Sequence, residues 1–396
     1  MALVAAGFRT VVQRRFGSAQ AAAAAATEFF YERNGPVDTV LKRRSIEDSS
    51  SGKALPRNAA RVELLAFPLT PFDVAAIERG YRSTGVAGVQ GIARVTAAAP
   101  ETPFQVGDLV LALPAMPGTW RDHATVPNAS EAFVAVPATL RRAIEDKVPG
   151  MLERAATLLG APAMAYRLLE EHGIQPGETI LLNDADGAVG LALVQLANMR
   201  GIKTVSLVDD EIPEDELPPE GHVESYAVVA ERIKALGSDV VVSSSFARQT
   251  ATFRELVSEL AGNRGMPRVA FNGSGGASAR QLISCLRPHG TLVTYSGRRA
   301  TQPLVIPTSA FTEFQLNLKG FNLMLWLENA PRDQVQAMVD ALGQAMTRGA
   351  LTGWLERKSF ASLQITDIAT IRSGTRPRQL VAITAAGQSL VQLAGP

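Results

Sequence analysis

The stretch Thr179-Ile-Leu-Leu-Asn-Asp-Ala-Asp-Gly-Ala-Val-Gly190 constrains this chain more than any other. An apolar run ends in a turn carrying Gly187 and Gly190, and the amphipathic run Leu-Ala-Leu-Val-Gln-Leu-Ala follows at once. Such a strand, glycine turn and helix open a nucleotide-binding βαβ unit. The glycines allow a tight turn and close backbone approach, and the helix N-terminus offers free N–H groups to a phosphate. The next apolar run, Thr204-Val-Ser-Leu-Val208, ends in Asp209. It stands about 20 residues on, where these units hold the acid that accepts the adenosine ribose hydroxyls. The alternative is a doubly wound domain that binds no nucleotide.

The surrounding pattern agrees with such a domain. Strand and helix signals alternate over 179–184, 189–200, 204–208, 226–236, 239–245, 251–262, 268–273, 277–287 and 291–297. Alternation of this kind predicts an α/β fold, a doubly wound parallel sheet with helices on both faces. The acidic, Pro-rich Asp209–Glu224 segment interrupts it as an inserted surface loop. Residues 28–150 read instead as β-rich, with strands expected at Val62–Phe67, Val86–Val95 and Asp108–Leu113 between Pro, Gly and Thr turns. A helix opens over 151–163 and continues through Met164–Glu171. Another is expected over Arg332–Arg348, and Ser359–Leu390 reads as helix then strand. A β-rich first domain completed by the C-terminal segment, around a Rossmann middle, places the default site in the cleft between domains.

Composition removes several function classes. A net charge of +1 gives no electrostatic pull toward nucleic acid. The single cysteine, Cys285, excludes internal disulfides and a cysteine-rich zinc site, and it reads as a small core residue. Four histidines stand at no metal-ligand spacing, so no metal is expected. No run reaches the length of a membrane span. Met1–Thr27 holds no acid while Arg9, Arg14 and Arg15 punctuate an Ala-rich stretch, the composition of a mitochondrial presequence. The folded part is therefore expected from residue 28 on.

Gly107-Asp-Leu-Val-Leu-Ala, Gly118-Thr-Trp-Arg121, Ala161-Pro-Ala-Met-Ala-Tyr-Arg-Leu-Leu and the glycine turn follow one another in a fixed order. Tyr31-Glu-Arg-Asn-Gly-Pro36, Thr291–Gly297 and Leu318–Trp326 complete the series. With these blocks the chain resembles the mitochondrial trans-2-enoyl-thioester reductases, the zinc-free branch of the medium-chain dehydrogenase/reductase superfamily, from residue 28 to the end. The resemblance implies a GroES-like catalytic domain over 28–160, a Rossmann domain over 161–325 and a return segment over 326–396. It also implies a homodimer in the mitochondrial matrix, with an enoyl thioester on acyl carrier protein or CoA as substrate and NADPH as hydride donor. Tyr81, in Arg79-Gly-Tyr81 after Pro71-Phe-Asp73, matches the tyrosine that stabilises the enolate oxygen or assists protonation. A phenol suits that task, because its hydrogen bond to a developing oxyanion strengthens in the transition state. Thr119, Trp120 and Arg121 are implied in the cleft wall, Trp120 as a second residue of the catalytic side, and Trp326 in the acyl pocket. Asn183, Gly187, Val189, Gly190, Asp209, Tyr295 and Arg378 are the implied cofactor contacts.

Several positions depart from that family. Its second Rossmann strand ends in arginines that hold the 2′-phosphate of NADPH, where this chain has Asp209, Asp210 and Glu211. The repulsion disfavours NADPH and leaves NADH. Asp184 and Asp186 enter the glycine turn, where they compete with a diphosphate for the helix N-terminus or, for Asp186, cap it. Gly88-Val-Gln-Gly91, Met164 and Arg298 also differ. Two readings follow. One is an enoyl-thioester reductase using NADH or NADPH. The other is an inactive homologue that binds no cofactor and serves as a structural or assembly component of a larger mitochondrial complex.

Overall fold

The computed structural model describes residues 26–46, 54–210, 224–297, 303–371 and 379–391. Residues 1–25 of the expected presequence, most of the acidic loop with Glu211, Arg298 and Arg378 lie outside them. Three sheets form the scaffold. A small one joins β1 (Thr27–Tyr31), β2 (Lys42–Ser45) and β4 (Gly85–Val86) in the order β2-β1-β4.

The second sheet is built on β3 (Ala60–Leu69), with β5 (Ile92–Ala98), β6 (Leu109–Ala112), β7 (His123–Val126) and β8 (Phe133–Ala135). Its last two members are β15 (Leu355–Ser359) and β16 (Gln379–Ile383), from the far end of the chain. One edge of β3 pairs with β5. The other pairs with β7 over Ala60–Glu63 and with β16 over Ala66–Leu69, so the ten-residue strand changes partner half-way. Its pairing with β5 shifts register at Arg61/Val62 and at Leu64/Ala66, the second where β3 passes from β7 to β16.

The third sheet is all parallel: β9 (Thr179–Leu182), β10 (Lys203–Val208), β11 (Val240–Ser243), β12 (Val269–Asn272), β13 (Thr291–Thr294) and β14 (Asn317–Gly320). Its order is β11-β10-β9-β12-β13-β14. The strands β9 and β12 are buried along their whole length, as a sheet covered on both faces requires. From β9 the chain runs outward to β11, returns to β12, and runs outward the other way. The reversal falls between β9 and β12, and ligands of such sheets bind outside the strand ends at that point.

The expected alternation is present, with differences at its edges. The helix expected without a break over 151–171 is two, Met151–Ala156 and Ala161–Glu171. Pro162 lacks the N–H that a continuous helix needs and instead occupies the first turn of the second. The expected strand Val86–Val95 is β4 and β5 separated by the turn Ala87–Gly91. One buried cluster runs from Leu65, Ile92 and Leu111 of the second sheet, through both of those helices, to Ile180 and Leu182 of β9. Gln195, on the Ala188–Met199 helix, donates to the Thr352 carbonyl and accepts its N–H, tying the Rossmann sheet's first helix to the segment leading into β15.

Candidate functional site

The first turn of the Ala188–Met199 helix lies outside β9, with Gly187 as its N-cap. Gly187 N–H donates to the Asp184 carbonyl at 3.0 Å and closes the turn. A methyl group at Gly190 would fall 2.4 Å from that carbonyl and 2.6 Å from the Ala185 Cα, so only glycine lets the helix approach the strand end. Val189 is half-buried against the main core. The N-cap position falls on Gly187, one residue after Asp186. Asp184 holds a left-handed backbone at φ 53°, and a methyl at Gly187 would meet its carboxylate oxygen at 2.4 Å. That carboxylate therefore stands over the helix N-terminus, the place a diphosphate takes.

Asn183 is buried beneath this turn and acts as a cross-link. Its amide donates to Asn272 Oδ1 at 2.8 Å and Ser278 Oγ at 3.0 Å, while its oxygen accepts Gly273 N–H at 2.7 Å and Ser274 N–H at 3.2 Å. Asn272 continues the ladder to Thr294 Oγ1 at 3.0 Å. The carboxyl ends of β9, β12 and β13 are thus fixed side by side. The Tyr295 ring lies over Gly273, where a methyl would fall 2.4 Å from its hydroxyl and 3.0 Å from Asp184 Cβ. Asp184, Gly273 and Tyr295 meet at the switch point. Asn183 is part of the floor rather than an open wall, and its use as a direct cofactor ligand has to contend with those four hydrogen bonds.

At the end of β10, Asp209 is half-buried and Asp210 is bound into the next loop. Asp210 accepts from Ser244 Oγ at 2.9 Å, from Ser245 N–H at 3.0 Å and from Ser245 Oγ. Burial opposes its charge, but the serine hydrogen bonds outweigh burial and hold the carboxyl at about 2. Two carboxylates therefore stand side by side at the carboxyl end of β10.

The Tyr81 side of the site is carried by the Pro71–Arg79 helix. Thr70 and Asp73 form a capping box at its start, and Asp73 also accepts Val89 N–H at 3.1 Å, anchoring the Ala87–Gly91 turn. Burial pushes the Asp73 carboxyl up to about 6, against the hydrogen bonds it accepts from Thr70 and Val89. The helix ends on Gly80 at φ 74°, the left-handed cap that glycine favours. Asn34 covers that end, donating to the Ile77 carbonyl at 3.0 Å, and Tyr31 Oη donates to the Ser83 carbonyl at 3.1 Å. The segment Tyr31–Gly35 thus clamps the turn on both sides of Tyr81. Tyr81 itself is 57 % exposed, and its hydroxyl accepts from Arg79 Nη1 at 3.4 Å.

The expectation for Trp120 needs correction. Its ring is wholly buried, its Nε1–H donates to the Pro68 carbonyl at 3.4 Å, and it packs edge-on against Phe29. A side chain with no exposed surface does not reach a substrate. Trp120 and the buried Thr119 instead press on Gly88, where a methyl would fall 2.2 Å and 2.4 Å from them. Arg121 turns to the buried Glu28, which also pairs with Arg44. The Gly118–Arg121 block is therefore a support for the Ala87–Gly91 turn, to which Thr119 and Trp120 also donate through the Ala87 carbonyl. Trp326 is partly buried beside Met324, with the Arg167 guanidinium 4.3 Å from its ring centre.

Sequence reading missed Asn34, Asn272, Ser278 and Arg79. Thr70-x-x-Asp73 carried a readable capping signal, but the others act across gaps of tens of residues or through one exposed contact. Among the described residues no cluster of His, Cys, Asp or Glu could hold a metal, and no helix is long and apolar enough to cross a membrane.

No family model matches the chain. Among curated proteins, it is 30 % identical over 352 residues to the mitochondrial enoyl-[acyl-carrier-protein] reductase of Dictyostelium discoideum, covering 86 % of this chain and 90 % of that one. It is likewise 30 % identical over 341 residues to the human mitochondrial enoyl-[acyl-carrier-protein] reductase, covering 85 % and 82 %. The chain belongs to the mitochondrial enoyl-[acyl-carrier-protein] reductase family. Solved structures agree on the fold of this reductase homologue. A mitochondrial 2-enoyl thioester reductase heterodimer from Candida tropicalis superposes with a TM-score of 0.74 at 21 % identity, over 90 % of this chain and 99 % of that one. A complex of one such reductase with NADP and crotonyl-CoA gives 0.75 at 21 % identity over the same shares, and a mycobacterial protein bound to NADPH gives 0.69 at 20 %, over 90 % and 99 %. The fold is the GroES-like plus Rossmann architecture expected from the sequence.

Proposed function

We propose that the protein reduces the 2,3-double bond of a trans-2-enoyl thioester, carried on acyl carrier protein or CoA, with a nicotinamide cofactor. The observation that carries this reading is its identity, over more than four-fifths of each chain, to relatives named as enoyl-acyl-carrier-protein reductases. The assembly-component alternative draws no support from them.

The chain's own residues fit a dinucleotide. Gly187 and Gly190 let the backbone come close at the Ala188–Met199 helix N-terminus, where the Asp184 carboxylate opposes a diphosphate without filling the turn, the Asn183–Asn272–Thr294 ladder cross-links the crevice floor, and Tyr295 borders it. When bound, the dihydronicotinamide supplies the hydride that reaches the β-carbon. Tyr81 donates a hydrogen bond to the thioester oxygen as the double-bond electrons move onto it, and a proton taken up from solvent at the α-carbon completes the reduction. Asp209 at the tip of β10, with Asp210 fixed beside it, favours NADH, since a 2′-phosphate would meet two negative charges. The sheet assignments of β15 and β16 support the division into 28–160, 161–325 and 326–396. Strand β14 is the outer edge of the parallel sheet, and all four of its residues are exposed. Such an edge supports pairing with a second copy as a homodimer. The relatives' mitochondrial names and the acid-free N-terminus support a mitochondrial location, and we assign the matrix within it.

The test is steady-state reduction of a trans-2-enoyl thioester by the purified protein and its Tyr81→Phe variant. The reading predicts product from the wild type and a rate lower by about two orders of magnitude in the variant. Wild-type protein that forms no reduced thioester would refute it.

A further inference from the structure

Arg79 and Tyr81 flank Gly80 at the exposed end of the Pro71–Arg79 helix. The guanidinium donates to the phenol oxygen at 3.4 Å, which is its one hydrogen bond among the described residues, where it forms no ion pair. Arginine has five donors and no acceptor, whereas a phenol has one proton and two lone pairs. The contact can therefore form in only one sense. Arg79 occupies a lone pair of Tyr81 and forces the phenolic proton to point elsewhere. Nothing among the described residues accepts that proton, so it is available to an incoming oxygen. The positive charge also lies beside an oxygen that gains negative charge whenever its proton is drawn toward a substrate, and among the described residues no carboxylate forms an ion pair with it.

We propose that Arg79 is a positioning residue for the reduction: it orients the Tyr81 hydroxyl toward the thioester oxygen and supports the charge that Tyr81 acquires there. The proposal rests on the reading of Tyr81 as partner of the enolate oxygen. The local backbone is built to keep the pair together. Gly80 supplies the left-handed turn, and Asn34 packs on it so closely that a methyl at Gly80 would fall 3.2 Å from the Asn34 Oδ1. Asp73 holds the other end of the helix. Arg79 and Tyr81 thus project from a fixed turn, and their separation depends on side-chain torsions alone.

The experiment is steady-state kinetics of the full chain with crotonyl-CoA and NADH, on Arg79→Gln, Arg79→Lys, Tyr81→Phe and the Arg79→Gln/Tyr81→Phe pair. Both positions are exposed, and thermal melts of each variant check that the fold is kept. Arg79→Gln is expected to lower kcat about tenfold while KM for crotonyl-CoA stays within about twofold. Arg79→Lys, which restores a cationic donor, is expected to recover most of the rate. In the Tyr81→Phe background Arg79→Gln should cost nothing further, because there is no hydroxyl left to orient. Arg79→Gln at full rate, or with a raised KM and unchanged kcat, would overturn the proposal while leaving Tyr81 its role. The same loss in both backgrounds would overturn it too. Tyr81→Phe at wild-type rate would instead overturn the reading on which it rests, and this inference with it.

Discussion

Asp184 is the residue whose removal should improve the site. Its carboxylate stands over the N-terminus of the twelve-residue Ala188–Met199 helix, 2.4 Å from where a methyl at Gly187 would lie. A diphosphate seated on the same N–H groups would come within about 5 Å of that charge. Two unit charges at that distance repel by roughly 1 kcal/mol in water and about 3 kcal/mol at an effective dielectric of 20. Asp184→Asn removes the charge and keeps a residue that tolerates the left-handed backbone, so the turn is preserved. The variant should bind a nicotinamide dinucleotide about tenfold more tightly, with the gain shrinking as salt screens the repulsion. Its folded state should lose about 0.5 kcal/mol, because the carboxylate no longer interacts with the helix dipole. Isothermal titration of wild type and variant at low and high salt measures the first effect, and denaturant unfolding without ligand measures the second. Unchanged or weaker binding by Asp184→Asn would refute the placement of the diphosphate on this helix.

Other consequences follow from the same geometry. Gly190→Ala would drive a methyl into the Asp184 carbonyl and Ala185 Cα, both backbone, so a loss of about 1–3 kcal/mol in denaturant stability is expected, together with weakened dinucleotide binding. Asp73 makes stability depend on pH in an unusual direction. Its folded value of about 6 exceeds the ordinary 3.8, so its contribution is fully present below about pH 4 and is lost as pH rises through 6, a difference of about 3 kcal/mol. Asp73→Asn should flatten the stability profile over that window in urea melts taken between pH 4 and 7, although one of the three donors to Asp73 then loses its acceptor. Gly88→Ala would set a methyl against both Thr119 and Trp120, and it should lower the melting temperature of the protein measurably in differential scanning calorimetry.

The central architecture was legible because its signals are local. The buried strand β9, Gly187, Gly190 and the apolar helix lie within 21 residues of one another, and steric need for the second glycine is visible in the structure. Strands β14 and β15 were not legible. Their sequences, Asn-Leu-Lys-Gly and Leu-Glu-Arg-Lys-Ser, lie at sheet edges and are exposed or half-buried, so they carry no alternating apolar pattern. Trp120 illustrates a different limit. Its membership in a block similar to known reductases pointed to the cleft, while its position depends on Gly88, Pro68 and Phe29, which are distant in sequence. The sequence singles out Asp209 at the tip of β10 and gives Asp210 no task of its own, and only the fold brings Ser244 and Ser245 across to hold Asp210. Side chains that cross between elements are set by topology, which a linear pattern does not contain.

In the function proposed above, this crevice binds a nicotinamide cofactor and delivers its hydride to an enoyl thioester, and the acids at the end of β10 choose the cofactor. The most direct measurement compares kcat/KM for NADH and NADPH against one trans-2-enoyl thioester, in the wild type and in Asp209→Ala. NADH oxidation is expected to be at least about tenfold more efficient than NADPH oxidation, with a ratio that moves toward unity in the variant. Absence of thioester-dependent oxidation of either cofactor, or a wild-type preference for NADPH that Asp209→Ala leaves unchanged, would contradict that proposal.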